Sequence, residues 1–244
     1  MKILIGTPMY GGQCDGGYAD SIMKSQRYFD KQNIVFNTGF IYNESLIQRA
    51  RNKLASEFIN NTDYDYLMFV DADIHFEPEW VHDLINTGKD LIAGVVPMKG
   101  LNLDIMNRAM KVGETDIEKY SGHFNYNPLD DEKLILNEPH KVARVGTAFM
   151  LISRKVLVDM KPYCDTYRGQ ASSTDDQISY FNVRVKDGQL MSEDFDFCER
   201  WREMGNDVYI APWICTPHRG AYLFRGNLKA HLSLPEKINE YNRN

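Results

Sequence analysis

The sequence has no long hydrophobic run, no closely spaced cysteines and no excess of positive charge. No apolar stretch approaches the roughly 18 residues that a membrane-spanning helix requires, so we expect no membrane span. The apolar start breaks at residues 6–8, which is too early for a secretory signal. The four cysteines lie far apart, and this favours reduced thiols in a cytoplasmic protein: they are Cys14, Cys164, Cys198 and Cys215.

The charge balance is mildly acidic, with 28 Lys and Arg residues against 34 Asp and Glu residues and a net charge of −6. This argues against a protein that coats nucleic acid with a generally basic surface, because such surfaces need an excess of positive charge. With 43% hydrophobic and 25% charged residues, the chain has the composition of a globular protein and not of a disordered one. Its 244 residues suit one α/β domain.

The first hundred residues alternate short apolar runs with stretches of helical periodicity. Alternation of this kind predicts a mostly parallel sheet with helices on both faces and right-handed crossovers. Asn43 is a plausible N-cap for the second helix. We predict strands over residues 2–6, 34–36, 66–70 and 91–96, and helices over residues 18–31, 44–59 and 78–86.

The stretch from residue 101 to residue 153 is less regular. Residues 101–141 are polar and weakly periodic, and they predict an irregular insertion with no packed helix. Residues 142–153 are strand-like, with Gly146 inside the strand, and a short helix follows from Arg154.

The last third of the sequence begins with a predicted mobile loop over residues 165–190, which contain the run Gly-Gln-Ala-Ser-Ser-Thr-Asp-Asp. Such a loop could close over a ligand and exclude water, and an ordinary surface loop is an equal alternative. We predict a helix that Ser192 caps and Gly205 ends. A strand over residues 207–211 and a polar tail from residue 227 complete the pattern.

Two carboxylates follow the strand predicted over residues 66–70. Asp71 and Asp73 would lie at its carboxyl end, where open α/β sheets bind ligands. At this spacing they can lie near one ribose and one metal-bound diphosphate. A hard cation such as Mg²⁺ or Mn²⁺ prefers oxygen ligands and often bridges a protein to phosphate. The alternative interpretation is a turn with solvated acids, and these residues alone do not separate the two.

Other ligand-binding motifs are excluded by their spacing. A calcium-binding loop of the EF-hand type that starts at Asp71 needs Gly and Glu where the chain has Phe76 and His82. Residues 11–18 lack the Lys of a phosphate-binding P-loop and the glycine spacing of a dinucleotide fingerprint.

A second group of acids opens the helix after Ser192 and comprises Glu193, Asp194 and Asp196. Acids in a first helical turn often do no more than complement the positive end of the helix dipole. The sharper hypothesis makes one of them a general base for an incoming hydroxyl. His218 follows in a turn after a strand, and a lone histidine is more often a surface or core residue than a ligand.

Taken together and in this order, these segments resemble a GT-A-fold glycosyltransferase of the DXD type. The nearest kind is the small, soluble, family 2-like enzyme that bacteriophages and large viruses encode, which implies the host cytoplasm. The resemblance covers residues 1 to about 226. It rests on Phe-Val-Asp-Ala-Asp at 69–73, Ser-Glu-Asp-Phe-Asp-Phe-Cys-x-Arg-Trp at 192–201, His-Arg-Gly at 218–220 and Phe-Arg-Gly at 224–226, with further likeness at residues 7–12, 50–52, 93–99 and 145–149.

The resemblance implies an α/β fold of the GT-A, Rossmann-like kind, with a mixed, mostly parallel central sheet flanked by helices. It implies one domain, with a nucleotide-sugar-binding half over residues 1–100, an acceptor and catalytic half over residues 101–226, and a polar tail over residues 227–244.

The site residues that the resemblance implies fall into three groups. Asp73 and His218 would ligate Mn²⁺ or Mg²⁺, and Asp71 would lie near the ribose or on the metal. Asp194, or else Glu193, would be the catalytic base of an inverting transfer. The remaining residues would contact the nucleotide-sugar donor, the first three at the base and the last at the phosphate or the acceptor: Pro8, Tyr10, Arg51 and Lys99.

The implied reaction transfers a sugar from a uridine-linked nucleotide sugar to a hydroxyl of a glycan, a small molecule or a hydroxymethylated DNA base. A DNA acceptor requires base flipping and phosphate contacts, which scattered basic residues would have to supply: Arg144, Arg154, Lys155, Arg219, Arg225 and Lys229. Two alternatives stay open. One is a nucleotidyltransferase on a related fold, although the usual basic loop after the first strand is missing. The other is a sugar- or nucleotide-binding module without turnover.

Overall fold

The computed structural model describes residues 1–129, 134–169 and 176–235. Within these ranges the helices are α1 (Gly16–Lys31), α2 (Ile47–Asn61), α3 (Pro78–Asn86), α4 (Leu103–Lys111), α5 (Arg154–Met160), α6 (Glu193–Glu203) and α7 (Leu228–Ser233). The strands are β1 (Lys2–Met9), β2 (Val35–Tyr42), β3 (Tyr66–Val70), β4 (Leu91–Gly94), β5 (Tyr126–Pro128), β6 (His140–Val145), β7 (Phe149–Ser153), β8 (Thr166–Arg168), β9 (Asp176–Ile178), β10 (Arg184–Lys186), β11 (Gln189–Met191), β12 (Val208–Ala211), β13 (His218–Arg219) and β14 (Leu223–Phe224).

A central sheet of eight strands has the order β2-β1-β3-β7-β4-β12-β6-β5. β1 pairs in parallel with β2 and β3, and β12 pairs in parallel with β4. β7 is antiparallel to both of its neighbours, and so is β6. Six strands therefore point one way and two point the other way, which confirms the predicted mixed, mostly parallel sheet.

Helices cover both faces of this sheet because its central strands are apolar on both faces. In β3, Leu67 and Phe69 join a core cluster with side chains of α2, α5 and α6. Met68 and Val70, which alternate with them, join a second cluster with side chains of α1 and α3. Successive residues of a strand point to opposite faces, so a continuous apolar run is what a strand buried on both faces needs.

The predicted boundaries hold where local signals are strong. β3 and α3 have the predicted residues, because Asp71 ends the apolar run and Pro78 suits a first helical turn. Helix α2 begins three residues later than predicted, and the assignment of Asn43 as its N-cap was wrong. Asn43 has a left-handed φ of 56°, and the extended residue that precedes the helix is Leu46.

The single strand predicted over residues 142–153 was also wrong, because the chain forms two strands there. β7 lies between β3 and β4, whereas β6 lies near the sheet edge between β12 and β5. Between the two strands, the Gly146 amide donates to the carbonyl of Asn125 over 3.0 Å. A Cβ at Gly146 would lie 2.9 Å from the Asn125 amide nitrogen, so a residue with a side chain would crowd this turn.

Two segments predicted as irregular contain regular structure. Residues 101–141 include α4, whose N-cap Asn102 accepts a hydrogen bond from the Ile105 amide over 3.2 Å. The segment predicted as a loop over residues 165–190 contains strands that pair antiparallel, β8 with β9 and β10 with β11, and β11 ends at Met191. The predicted insertion, loop and tail also include residues 130–133, 170–175 and 236–244, which lie outside the described residues.

Two sequence-based expectations concern the chain as a whole. The sequence favours reduced thiols, and in the structure all four cysteines are free. Among residues 1–129, 134–169 and 176–235, no helix has the length and apolar character needed to cross a membrane.

Candidate functional site

The site lies where β3 ends, beside the turn between β6 and β7 and the β13–β14 hairpin. The Asp71 amide donates to the carbonyl of Ala148 over 3.0 Å, and the Arg219 amide donates to the carbonyl of Asp73 over 2.8 Å. Ile74 and His218 form an isolated β-bridge. Backbone hydrogen bonds therefore join three segments that are far apart in sequence around the two carboxylates.

Asp73 has a basic partner on each oxygen. His218 Nε2 lies 3.4 Å from Asp73 Oδ1, and Lys99 Nζ lies 2.6 Å from Asp73 Oδ2. Burial raises the pKa of Asp73, but hydrogen bonds from His218 and Lys99 outweigh this effect and hold the pKa below its usual value. Asp73 is therefore a carboxylate at neutral pH.

The orientation of the His218 ring follows from its other nitrogen. Nδ1 lies 2.8 Å from the carbonyl oxygen of Pro97. Because a carbonyl only accepts hydrogen bonds, Nδ1 carries a hydrogen and donates it. The other ring nitrogen, Nε2, therefore faces Asp73. Carbonyl groups fix metal-binding histidines in this way.

Arg51 of α2 is a buried cation between two carboxylates. It is 4% exposed, it is ion-paired with Glu193, and one terminal nitrogen lies 3.3 Å from Asp71 Oδ1. Burial raises the pKa of Glu193, and the positive charge of Arg51 opposes this rise without cancelling it. Arg51 therefore connects the carboxyl end of β3 to the N-terminus of α6.

Asp194, next to Glu193, has a different environment. Its Oδ1 accepts hydrogen bonds from the Ser192 hydroxyl and, over 2.8 Å, from the Phe195 amide. Its Oδ2 has one long contact, 3.5 Å from the side-chain amide of Asn125. Asp194 therefore has one oxygen committed to the helix N-terminus and one with a weaker partner.

Two concave spaces meet at Asp71. The inner cavity, of about 230 Å³, is lined by Asp71, Arg51, Glu193, Asp194 and His218 among others. The outer cleft has a volume of about 450 Å³. It is lined by both carboxylates that follow β3 and by residues at or after the end of β1: Asp71, Asp73, Pro8, Tyr10 and Asp15. Asp71 borders both spaces, so a ligand that spans them would pass this carboxylate.

The structure brings the predicted site residues to one region of the protein. Pro8 and Tyr10 lie on the outer cleft. Arg51, which was expected at the nucleotide base with them, lines the inner cavity with the residues of α6. Lys99 contacts Asp73. The roles assigned to these residues stay predictions.

Several neighbours of these residues were not identified from the sequence. Asn125 contacts Asp194 but lies in a stretch without a recognisable pattern. Asp15 caps α1 through the Gly17 amide, over 2.9 Å; it also contacts His75 and lies 3.5 Å from the Arg219 guanidinium. Burial raises the pKa of Asp15, but the hydrogen bonds from Gly17 and His75 and the charge of Arg219 outweigh this effect and hold the pKa below its usual value. The sequence signal that could have identified Asp15 is its position just before a predicted helix, where an aspartate often serves as the N-cap.

No protein-family model matches the chain, and no curated protein matches it. Among solved structures, the chain is similar to the A197 protein from STIV, with a TM-score of 0.52 and 17% sequence identity over 93% of this chain and 95% of that one. The fold is therefore α/β and GT-A-like, as predicted.

Two further similarities are weaker and carry no argument for function. One is to a glycosyltransferase involved in the glycosylation of the major capsid of PBCV-1, with a TM-score of 0.32 and 7% identity over 66% of this chain and 65% of that one. The other is to a protein described as a glucose-1-phosphate thymidylyltransferase from Bacillus anthracis, with a TM-score of 0.32 and 12% identity over 66% of this chain and 74% of that one.

Proposed function

We propose that the protein is a metal-dependent glycosyltransferase that moves a sugar from a nucleotide-diphospho-sugar, most simply a uridine-linked one, to a hydroxyl acceptor with inversion. One observation carries this proposal. The inner cavity is lined by Asp71, Asp194 and His218, and His218 also contacts Asp73. It therefore combines groups that could hold a metal ion for the leaving diphosphate with a carboxylate that could accept the proton of an attacking hydroxyl.

The outer cleft suits the nucleotide of the donor. Tyr10 is 76% exposed there, and its ring offers a flat apolar surface to a base. Pro8 lines the same cleft. A nucleotide in this cleft would place its diphosphate toward Asp71 and Asp73, and its sugar would then enter the inner cavity.

The donor set at Asp73 fits a divalent cation. Asp73 offers carboxylate oxygens, and His218 Nε2 lies 3.4 Å from Asp73 Oδ1, so the carboxylate and the imidazole nitrogen could both ligate one cation. Among the residues that the structure describes, no group of three or more His, Cys, Asp or Glu side chains is placed to hold a metal ion. Phosphate oxygens of the donor would complete the shell, as they do for Mg²⁺ in many nucleotide sites. Asp73 and His218, with Asp71 beside them, would hold Mn²⁺ or Mg²⁺, which would neutralise charge on the leaving diphosphate.

Asp194 is the better candidate for the catalytic base. Glu193 forms an ion pair with the buried Arg51, which commits its carboxylate to another charge. Asp194 keeps one oxygen with a single long contact on a wall of the cavity. A carboxylate in this position can take the proton of an acceptor hydroxyl as that oxygen attacks the anomeric carbon.

The surroundings of the basic residues favour a glycan or small-molecule hydroxyl over a DNA base as the acceptor. Some of the basic residues considered for phosphate contacts have partners within the protein. Arg154 donates to the carbonyls of Phe58, Thr62 and Tyr64, and Arg144 pairs with Glu199. These two side chains therefore serve the fold.

The release of nucleoside diphosphate from a panel of UDP-, GDP-, CDP- and dTDP-sugars tests this proposal. With Mn²⁺ present we expect release from one class of donor. Asp73→Asn and His218→Ala should each lower the rate by about 100-fold or more, because the charge of the leaving group is no longer compensated.

Asp207→Asn is the matched control, since Asp207 has a lysine partner at 2.7 Å on the protein surface and should keep the wild-type rate. Unchanged release by both Asp73→Asn and His218→Ala, with normal unfolding transitions, would contradict the metal assignment.

A further inference from the structure

Lys99 holds the carboxylate that the proposed function assigns to the metal ion. Its Nζ lies 2.6 Å from Asp73 Oδ2, while His218 Nε2 lies 3.4 Å from Asp73 Oδ1. The ammonium and the imidazole thus contact different oxygens of one carboxylate. A divalent cation at Asp73 would approach the same oxygens.

The two residues that precede Lys99 are anchored by hydrogen bonds, one of them to His218. The Met98 amide donates to the carbonyl of His123 over 2.7 Å, and the Pro97 carbonyl accepts from the His218 ring over 2.8 Å. The stem of Lys99 packs on Gly220, where a Cβ would lie 3.1 Å from Lys99 Cδ. The loop therefore presents this side chain to Asp73 from a defined position.

The ammonium itself is free to leave. The Lys99 side chain is 45% exposed and that of Asp73 is 33% exposed, so the pair has access to water. An ion pair of this exposure contributes little net free energy, because solvent screens the charges and the long side chain loses entropy. Lysine also has a flexible stem and donors that rotate, so it can exchange one anion for another.

A cation at Asp73 and an ammonium 2.6 Å from the same carboxylate would repel each other at close range. We propose that Lys99 is a competing counter-ion at this site, so that a divalent cation binds Asp73 only as Lys99 leaves it, and the released ammonium binds the diphosphate of the donor. This inference rests on the proposed function.

The exchange makes binding of the cation depend on the nucleotide. Without nucleotide, the cation must displace Lys99 from Asp73, and the ammonium loses its carboxylate partner without forming a new ion pair. With a nucleoside diphosphate, the ammonium gains a phosphate partner. The two ligands should therefore strengthen each other's binding, and by linkage the factor is the same in both directions.

Titration of the full-length protein with Mn²⁺ alone, followed by the paramagnetic resonance of free Mn²⁺, tests the competition. Lys99→Met keeps the length of the stem on Gly220 and removes the charge. We expect this variant to bind Mn²⁺ about fivefold more tightly than the wild type, the order of magnitude for loss of one exposed ion pair. Adding uridine diphosphate should tighten Mn²⁺ binding more in the wild type than in Lys99→Met.

Two further variants make the result specific to this site. Lys141→Met changes the net charge equally and also removes a lysine from an aspartate at 2.7 Å, but Lys141 lies in β6 at the end away from Gly146. It should bind Mn²⁺ as the wild type does. Lys99→Met combined with Asp73→Asn should lose the tighter binding. Lys99→Gln provides a second uncharged side chain if Lys99→Met is unstable.

The possible outcomes separate this inference from the proposed function. Equal or weaker Mn²⁺ binding by Lys99→Met, in a protein that binds Mn²⁺ and uridine diphosphate, would overturn the competition and leave the proposed function in place. An equal gain in Lys141→Met would also overturn it, because net charge would explain the effect. Failure of the wild type to bind Mn²⁺ with or without the nucleotide would overturn both.

Discussion

Asp194→Asn should abolish sugar transfer while the protein still binds the donor. Asparagine has the same shape and can still accept hydrogen bonds from Ser192 and the Phe195 amide, which Asp194 Oδ1 accepts in the structure. It cannot take a proton from an acceptor hydroxyl. General-base catalysis contributes about 10²–10⁴-fold to such rates, so we expect kcat to fall by a factor in this range. Single-turnover rates and a donor titration measure the two effects separately.

Glu193→Gln is the comparison that distinguishes the two neighbouring acids. Glutamine can still accept a hydrogen bond from Arg51, the ion-pair partner of Glu193, so this variant should keep most of the transfer rate. The reverse pattern, with transfer lost in Glu193→Gln and kept in Asp194→Asn, would assign the base to Glu193. Loss of donor binding in Asp194→Asn would indicate a structural role for Asp194.

Arg51→Met should destabilise the fold by about 3–5 kcal/mol, the range for removing one partner from a buried ion pair. Arg51 is 4% exposed and Glu193 is 8% exposed, and Asp71 lies on the other side of the guanidinium. Methionine would fill part of the space of the Arg51 stem but leave both carboxylates without their cation. For a chain of this size the unfolding temperature should fall by roughly 6–20 °C. Thermal and urea unfolding at pH 7 measure this change.

A double-mutant cycle with Glu193→Gln assigns the loss to charge. If the cost arises from an unpaired carboxylate, Glu193→Gln should cost less in the Arg51→Met background than in the wild type. An unfolding free energy of Arg51→Met within about 0.5 kcal/mol of the wild type would contradict a structural role for this ion pair.

The parts of the fold that were predicted correctly depend on local sequence. The apolar run of β3 ends at Asp71 and α3 begins at Pro78, and both signals lie within the elements themselves. The division of residues 142–153 into β6 and β7 depends on distant partners. The amide of Gly146 bonds to Asn125, and the carbonyl of Ala148 bonds to the amide of Asp71. Neither contact is visible in a stretch whose own pattern is that of a strand.

The candidate site shows the same division. Asp71, Asp73 and Asp194 could be named as candidates because a strand end and a helix start are local features. The roles assigned to them came from the family resemblance, since the local pattern also fits a turn with solvated acids and acids that complement a helix dipole. The contact of Arg51 with Glu193 joins residues 142 positions apart, and that of Asn125 with Asp194 joins residues 69 apart. Such contacts arise from the packing of α2, α6 and the β6–β7 turn, and the periodicity of a single sequence carries no information on them.

The most direct measurement is thermal unfolding with UDP, GDP, CDP and dTDP, each with and without Mn²⁺. A ligand at about 100 times its dissociation constant adds roughly 2.7 kcal/mol to the stability of the folded protein. We predict that one nucleotide, UDP, raises the unfolding temperature only when Mn²⁺ is present, and that Asp73→Asn loses this shift. If no nucleotide raises the unfolding temperature with Mn²⁺ present, Asp71 and Asp73 are carboxylates of a turn, and the proposed transferase function is wrong.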